Sequence, residues 1–419
     1  MPSVWRAGAQ ERCRIRDLSG LQARYLPASA SAGLAHHRAE GTGPKEVPCV
    51  AGDLVAAGEY WRSRRRFLRQ AAQMAGVASM AGMAQGEARA RTVGERRFRF
   101  LLWNDMHVRD PEAPREYTGY PFANEKAQWA FECAQGRHGI ERPDFILAAG
   151  DIIDGELADY DLDFAYLKTA IVDRLPVPYL PCVGNHENGQ GEGIPQQNVA
   201  YDRAFGADRH NYVFTYSGVA FVVVDTSGAH RMPDDVTATR NASVERALSA
   251  TEGLPVIIVT HVPLIAMREE EPLKASFGFS SWRVLDTRML DLIEQEADRV
   301  IAVLCGHIHL TGVRERKGIY HIMPGGTCGY PSDFASLDVF REHIRVRMHR
   351  APQRWLDRGD DIHGRPRYDH DYTDSEHPGH ESYVWGNAQE RDFTIPLADE
   401  KRPKEYAPCA VSFVPCSAP

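Results

Sequence analysis

From Phe98 onward the chain repeats one pattern of apolar and polar positions. A short run of β-forming apolar residues ends, polar residues follow at once, and a stretch with helical spacing comes next. The apolar runs are Phe98–Trp103, Phe145–Ala149, Pro178–Val183, Val219–Val224, Val256–Thr260 and Val300–Cys305. Between them Asn124–Gln135, Asp161–Asp173 and Ser281–Ala297 place apolar side chains on one helical face. Strands alternating with helices predict an α/β domain, and wholly apolar strands predict a sheet covered on both faces. Three later runs, Val313–Arg316, Ile319–Met323 and His343–Met348, follow one another with Gly between and predict an antiparallel meander.

The ends of the chain break this pattern. Ser63-Arg64-Arg65-Arg66-Phe67-Leu68-Arg69 precedes a soft apolar run, Ala71 to Ala84, and Ala88-Arg89-Ala90 supplies small residues at a cleavage point. That layout is a signal peptide, too short to span a bilayer, and its paired arginines resemble the twin-arginine export signal. It begins some sixty residues in, so residues 1–60 read as a mis-called start or a disordered leader, and 61–90 as the signal. The body is then a domain over 91–350, with a periplasmic or secreted location and the twin-arginine machinery as the expected export partner. Residues 351–419 read as a His- and Asp-rich appendage without a core of its own. Within it a solvated loop is favoured over a metal tract for His363, His370, His377 and His380.

Composition adds exclusions. With 419 residues, 43% hydrophobic and 25% charged, the chain is ordinary globular material, and no uninterrupted apolar stretch is long enough for a transmembrane segment. The net charge of −8 divides unevenly: residues 1–90 carry +6 and the remainder −14. So acidic a body argues against a stable nucleic-acid complex or an anionic membrane partner. Six cysteines follow the cleavage point. Cys182 and Cys305 read as small buried hydrophobes, Cys409 and Cys416 as a pair that could bridge in an oxidising compartment, and Cys133 and Cys328 carry no assignment. No C-x-x-C occurs.

The chemistry collects where strands stop. Phe98–Trp103 runs into Asn104-Asp105-Met106-His107, and Phe145–Ala149 into Gly150-Asp151-Ile152-Ile153-Asp154. Pro178–Val183 runs into Gly184-Asn185-His186-Glu187, Val256–Thr260 into His261, and Val300–Cys305 into Gly306-His307-Ile308-His309. Sheets of this class bind ligands at the carboxyl ends of their strands. Asp105, His107, Asp151, Asn185, His261, His307 and His309 offer oxygen and nitrogen donors without a thiolate. Seven such groups exceed one tetrahedral ion and suit two divalent ions, with Mn, Fe or Zn as candidates. Asp151, following a Gly, is the natural bridge.

The ordered series D-x-H, G-D-x-x-D, G-N-H-E, H and G-H-x-H over roughly 97–348 resembles the calcineurin-like metallophosphoesterases. The resemblance implies a four-layer α/β/β/α sandwich, two mixed sheets flanked by helices, with a dinuclear site at their shared edge. It implies that Asp105, His107, Asp151 and His309 hold one ion, and Asp151, Asn185, His261 and His307 the other. His186 would face the substrate phosphate and its leaving group, and Asp154 matches a position that orients this His in some members. A helix N-terminal carboxylate is an equal reading of Asp154. Two cations about 3.5–4 Å apart lower the pKa of a water between them and clamp phosphoryl oxygens for in-line attack.

Departures from the family narrow the group. Purple acid phosphatases carry Tyr where this chain has Asp154, and protein Ser/Thr phosphatases continue G-D-x-x-D with Arg-Gly where this chain has Gly155-Glu156. The D-x-H start, the G-H-x-H end and the stretch from Asn211-Tyr212 to Val224-Asp225 are closer to bacterial phosphodiesterases of the cyclic-nucleotide type. The expected function is therefore an exported, metal-dependent hydrolase of small phosphate esters, with diesters favoured. A phosphomonoesterase acting on nucleotides or sugar phosphates is the runner-up, and a non-catalytic metal-binding module the third reading. Of the loops, Pro111–Phe122 brings Tyr117, Tyr120 and Phe122 beside the first motif, where plain packing on the domain is favoured over a substrate contact. Gly-rich Asn188–Gln197 could rim the site, and Gly325-Gly326-Thr327-Cys328 could line it by close backbone approach. Arg109 and Arg203 default to surface residues.

Overall fold

The computed structural model describes residues 94–112, 120, 122–155, 160–188, 199–228, 234–277, 283–356, 372–405 and 414–415. The expectations for segments 1–60 and 61–90, for Tyr117, His363, His370, Cys409 and Cys416, and for the loop beyond Asn188 lie outside the described residues. Among those described, no helix is long and apolar enough to cross a membrane.

In chain order the elements are β1 (Phe98–Trp103), α1 (Ala123–Ala134), β2 (Phe145–Ala149), α2 (Tyr160–Ala170), β3 (Tyr179–Cys182) and α3 (Val199–Phe205). Next come β4 (Tyr212–Tyr216), β5 (Val219–Val223), α4 (Asp234–Ala250), β6 (Val256–Val259), α5 (Glu270–Phe277), α6 (Thr287–Gln295) and β7 (Val300–Leu304). The chain continues through β8 (Gly312–Arg316), β9 (Ile319–Met323), β10 (Asp333–Val339), β11 (His343–Arg350), α7 (His380–Trp385), α8 (Ala388–Arg391), β12 (Asp392–Pro396) and β13 (Val414–Pro415). The strands form two mixed sheets, one in the order β12-β11-β10-β1-β2-β3 and the other β13-β4-β5-β6-β7-β9-β8.

Strand alternation builds the four layers. In β1, Phe98, Phe100 and Leu102 face the second sheet, whereas Leu101 and Trp103 face the helices. In β2, Phe145, Leu147 and Ala149 repeat the inner assignment, and Ile146 and Ala148 the outer one. The seam between the sheets is aromatic: Phe100 stacks on Phe145 at 5.1 Å and meets Phe221 edge-on at 5.5 Å. Helices α1 and α2 cover the first sheet through Phe131, Phe164 and Leu167. Val244, Leu248, Met289 and Ile293 of α4 and α6 cover the second. The central strands therefore read as unbroken apolar runs because both of their faces are buried.

The expected meander is corrected. Strands β8 and β9 form an antiparallel hairpin at the edge of the second sheet, but β11 belongs to the first and pairs with β10. Strand β10, with its Asp and Ser residues, is missing from the apolar reading yet wholly buried. Arg99 offsets its polar character, donating to both carboxylate oxygens of Asp338 at 2.6 and 2.7 Å.

The chain after Ala351 completes both sheets, β12 extending one edge and β13 pairing with β4. Tyr383 and Val384 of α7 pack on Met267, Leu310 and Met323. The solvated-loop expectation fails at His377, which is buried between Asp374 Oδ1 at 2.7 Å and Glu390 Oε2 at 2.8 Å. The physical cause is Arg268. Its guanidinium is fully buried, donates to Glu390 Oε1 at 3.0 Å and to the carbonyls of Thr311 and Tyr383, and draws the acidic segment inward. Burial raises the Glu390 carboxyl, but the His377 hydrogen bond and then the Arg268 charge hold it down to about 2.

A second ion cluster, partly open to solvent, joins α3 to the end of β5. His210 bonds Asp225 at 2.9 Å and Asp202 at 2.7 Å. Burial disfavours its charge, but the bonds and charge of Asp225, then of Asp202, lift it to about 9. A raised folded-state pKa gives stability that is complete below pH about 6.5 and lost as pH rises through about 9. We therefore expect denaturant stability to fall by up to roughly 3 kcal/mol between pH 6 and 10. His210→Gln should flatten that slope, and an unchanged slope in the variant would contradict the assignment.

Candidate metal centre

All the predicted donor residues meet at the carboxyl ends of β1, β2 and β3 of one sheet and β6 and β7 of the other. The β1 and β2 loops run side by side: Asp105 N–H donates to Gly150 O at 3.0 Å, and Met106 and His107 both donate to Asp151 O. Five of the donors pay a conformational cost. Asp105, His107, Asp151, His307 and His309 all have positive φ, between 45° and 83°. Non-Gly residues in this region cost on the order of 1–3 kcal/mol each and persist only where the surroundings over-determine them. Strain concentrated on five side chains that converge marks a functional centre.

The donors fall into two groups that share Asp151. Asp105, His107, Asp151 and His309 each place an atom within 4.8 Å of the others, and so do Asp151, His261 and His307. In the first, His107 Nε2 faces His309 Nε2 at 3.3 Å, and His309 Nε2 lies 3.1 Å from Asp105 Oδ1. In the second, Asp151 Oδ2 lies 3.1 Å from His261 Nε2, and Asn185 Oδ1 lies 3.0 Å from His261 Nε2 and 2.9 Å from His307 Nδ1. The Asp and first-group His side chains are essentially sealed from solvent, whereas Asn185, His186 and His307 are partly open and form the mouth.

Electrostatics show why these residues fit cations. Burial penalises the Asp151 carboxylate most, yet facing His261, His186 and His107 holds it well below the usual carboxylate range. Burial, then the charge of His186, drives His107 well below an ordinary imidazole, which favours the neutral ring with one nitrogen lone pair free to ligate. Buried, mutually facing acceptors of this kind are tolerable when they ligate a metal. The donors are oxygen and nitrogen groups that fit two divalent ions.

His186 turns its ring toward His107, with centroids 4.4 Å apart, and its backbone N–H donates to Asp151 Oδ1 at 2.9 Å. Its Nδ1 bonds the backbone carbonyl of Asp154, not the carboxylate. The Asp154 carboxyl, raised by burial, faces His107 Nδ1 at 3.8 Å and Arg109 at 4.0 Å instead. It lies well before α2, which begins at Tyr160, so the helix-terminus reading does not describe it. Arg203 pairs with Asp161 at the surface, as its default reading has it.

Several contributors escape motif reading. Glu187, the last residue of G-N-H-E, accepts the N–H groups of Asp151, Ile152, Ile153 and Gly184 at 2.7–3.1 Å, tying the β2 loop to the β3 loop. Burial and the Asp151 charge raise its carboxyl to about 7 against those bonds. A Cβ on Gly184 would lie 2.1 Å from the Asp151 nitrogen, so only Gly permits this approach. The Gly325–Cys328 stretch does line the centre. Gly326, at φ +80°, lies against Asp105, and Cys328 N–H donates to Asp105 O at 3.0 Å. Tyr120 covers the first group, its ring 4.1 Å from His107 and 5.5 Å from His309.

Residues 98–310 match the calcineurin-like phosphoesterase family. The chain belongs to that family. It is accordingly a metal-dependent phosphoester hydrolase. Among solved structures it is similar to a dimetal phosphatase from Danio rerio, at 15% identity over 73% of this chain and 100% of the other, with a TM-score of 0.48. It is similar to a purple acid phosphatase from yellow lupin, at 13% identity over 75% and 57%, with a TM-score of 0.46. It is also similar to a phosphopantetheinyl hydrolase from Mycobacterium tuberculosis, at 17% identity over 54% and 87%, with a TM-score of 0.36. A search of curated proteins finds no match.

Within this phosphoesterase the Glu187 anchor gives a direct test. Glu187→Gln sets an amide NH2 against backbone donors, and should lower stability by about 2–4 kcal/mol. Urea unfolding measures this; a change under about 0.5 kcal/mol would remove Glu187 from the scaffold.

Proposed function

We propose that this chain is an exported dinuclear-metal phosphoesterase that acts preferentially on phosphodiesters. The observation that carries the dinuclear reading is the sharing of buried Asp151 between two donor groups. Asp105, His107, Asp151 and His309 would hold one ion and Asp151, Asn185, His261 and His307 the other. When bound, such a pair supplies Lewis-acid polarisation of the phosphoryl oxygens and activation of water. Asp151 and Asn185 orient the donor set. Glu187 and Gly184 fix the loops that carry them.

His186 acts as the group nearest the departing oxygen. Its Nδ1–H is spent on the Asp154 carbonyl, which leaves Nε2 to hold or deliver a proton. Burial opposes its charge, but Asp151, the Asp154 carbonyl and the Asp154 carboxylate hold its pKa above the ordinary imidazole value, so the proton is available. Asp154 thus serves catalysis through its backbone oxygen on one side and, through its carboxyl, faces His107 on the other.

Two features support a diester. Gly155-Glu156 stands where an Arg would help neutralise a dianionic monoester. Tyr120 presents an aromatic face beside His107 and His309, which suits a second organic substituent. Hydrolysis of bis(p-nitrophenyl) phosphate and p-nitrophenyl phosphate by residues 91–419 with Mn²⁺, Fe²⁺ or Zn²⁺ tests this. We expect the diester to turn over faster, with His186→Ala lowering kcat by about 10²–10⁴-fold. Preference for the monoester would favour the runner-up. Metal uptake without turnover of any ester would favour a binding module.

Export rests on the Ser63–Leu68 motif and the small residues before Arg91. Arg64→Lys with Arg65→Lys should leave the precursor inside a twin-arginine-competent bacterium, whereas the wild-type protein should fractionate outside the inner membrane. Export of both forms, or of neither, would contradict this reading.

A further inference from the structure

Asp154 points its two ends at two different residues. Its backbone carbonyl bonds His186 Nδ1, while its carboxyl Oδ1 faces His107 Nδ1 at 3.8 Å. His107 turns the opposite nitrogen to the donors, with Nε2 3.3 Å from His309 Nε2 and 3.7 Å from Asp151 Oδ2. With Nε2 as the ligating atom, the proton of the neutral ring belongs on Nδ1. His107 is sealed from solvent and Asp154 is 3% exposed. Among the described residues neither His107 Nδ1 nor Asp154 Oδ1 has a hydrogen-bond partner. A buried donor and a buried acceptor that face each other unsatisfied carry a cost that one bond between them would remove.

The backbone holds this pair in place. His107 N–H donates to Asp151 O at 3.0 Å, Val108 N–H to Ile152 O at 3.1 Å and Asp154 N–H to Val108 O at 2.9 Å, so the loops after β1 and β2 are laced together beside it. Beyond Asp154, Gly155 N–H donates to Asp163 Oδ2 at 3.2 Å. With both main chains fixed, side-chain rotation is what closes the gap from 3.8 Å to hydrogen-bond distance. We propose that the Asp154 carboxylate is a positioning residue for the first ion: it accepts the His107 Nδ1–H and fixes the ring with Nε2 toward that ion, while the Asp154 backbone carbonyl positions His186. Metal-ligating imidazoles commonly pass their second N–H to a carboxylate or a carbonyl. His261 does so in the second group, with Nδ1 on the carbonyl of Ala149 at 2.8 Å. Hydrogen bonds in active sites are often long until the complex forms, and then tighten. The Arg109 guanidinium, 4.0 Å from the other oxygen, Oδ2, offsets the carboxylate charge from behind. This inference rests on the dinuclear reading above.

Competition of Zn²⁺ with a chromogenic chelator, and the visible spectrum of the Co²⁺-loaded protein, test it without recourse to turnover. In Asp154→Ala we expect one of two bound ions to lose about tenfold in affinity, the other to stay within twofold, and the Co²⁺ bands to shift. Asp154→Asn keeps an oxygen acceptor at the same reach and should recover most of that loss. Both variants keep the backbone carbonyl. A carboxylate that acted only on His186 would therefore leave both affinities unchanged and move the pH profile of kcat instead, and that result would overturn the proposal. So would an Asn variant as weak as the Ala variant, since the loss would then follow the charge and not the acceptor. Should Asp154→Ala fail to fold, Asp154→Ser, whose hydroxyl is too short to reach Nδ1, should show the same loss in the same ion. Wild-type protein that takes up no metal would overturn the dinuclear reading itself, a result distinct from two tightly bound ions indifferent to Asp154.

Discussion

Asp151 is a buried carboxylate that must serve two sets of imidazoles at once, and the architecture around it is what makes that possible. Its charge is costly in so sealed a place and is stabilised only because His261, His186 and His107 converge on it. To bring them there the chain uses five strand ends from two sheets, so the sandwich must close before the centre exists. The aromatic seam of Phe100, Phe145 and Phe221 fixes that closure, and the left-handed backbone at five donors is the local cost of turning the ends of β1, β2 and β7 inward.

Outside the donors lies a layer of backbone bonding that sets their precision. Glu187 ties together the loops after β2 and β3, and Thr226 accepts from the N–H groups of His261 and Val262. The Gly325–Cys328 stretch presses on Asp105. The C-terminal chain contributes as well: Val384 O accepts from Thr311 N–H two residues past His309, and buried Arg268 joins the Thr311 carbonyl to Glu390. A segment far along the chain thereby steadies the turn that carries His307 and His309.

Much of this was legible before any coordinates. Strands β1, β2, β5, β6 and β7 announce themselves because burial on both faces makes them unbroken apolar runs, and the donor motifs stand out because each follows such a run. Strand β10 was not legible, since Asp338 and Ser336 look exposed until Arg99 and His349 arrive from neighbouring strands. Helix α4 was missed because its apolar positions are sparse. Pairing of β11 with β10, and not with the β8–β9 hairpin, depends on which sheet has a free edge, a fact of topology that spacing does not encode. The division of seven donors into two groups came from resemblance. The roles of Glu187 and His377 depend on contacts through space that no local motif records.

The central claim is that one carboxylate bridges two ions, and metal content per chain tests it most directly. Purified protein loaded with Mn²⁺ or Zn²⁺ and freed of excess metal should retain two ions per chain, and Asp151→Asn, if folded, should retain one or none. A wild-type protein that holds a single ion, or an Asp151→Asn variant that still holds two at unchanged affinity, would contradict the account.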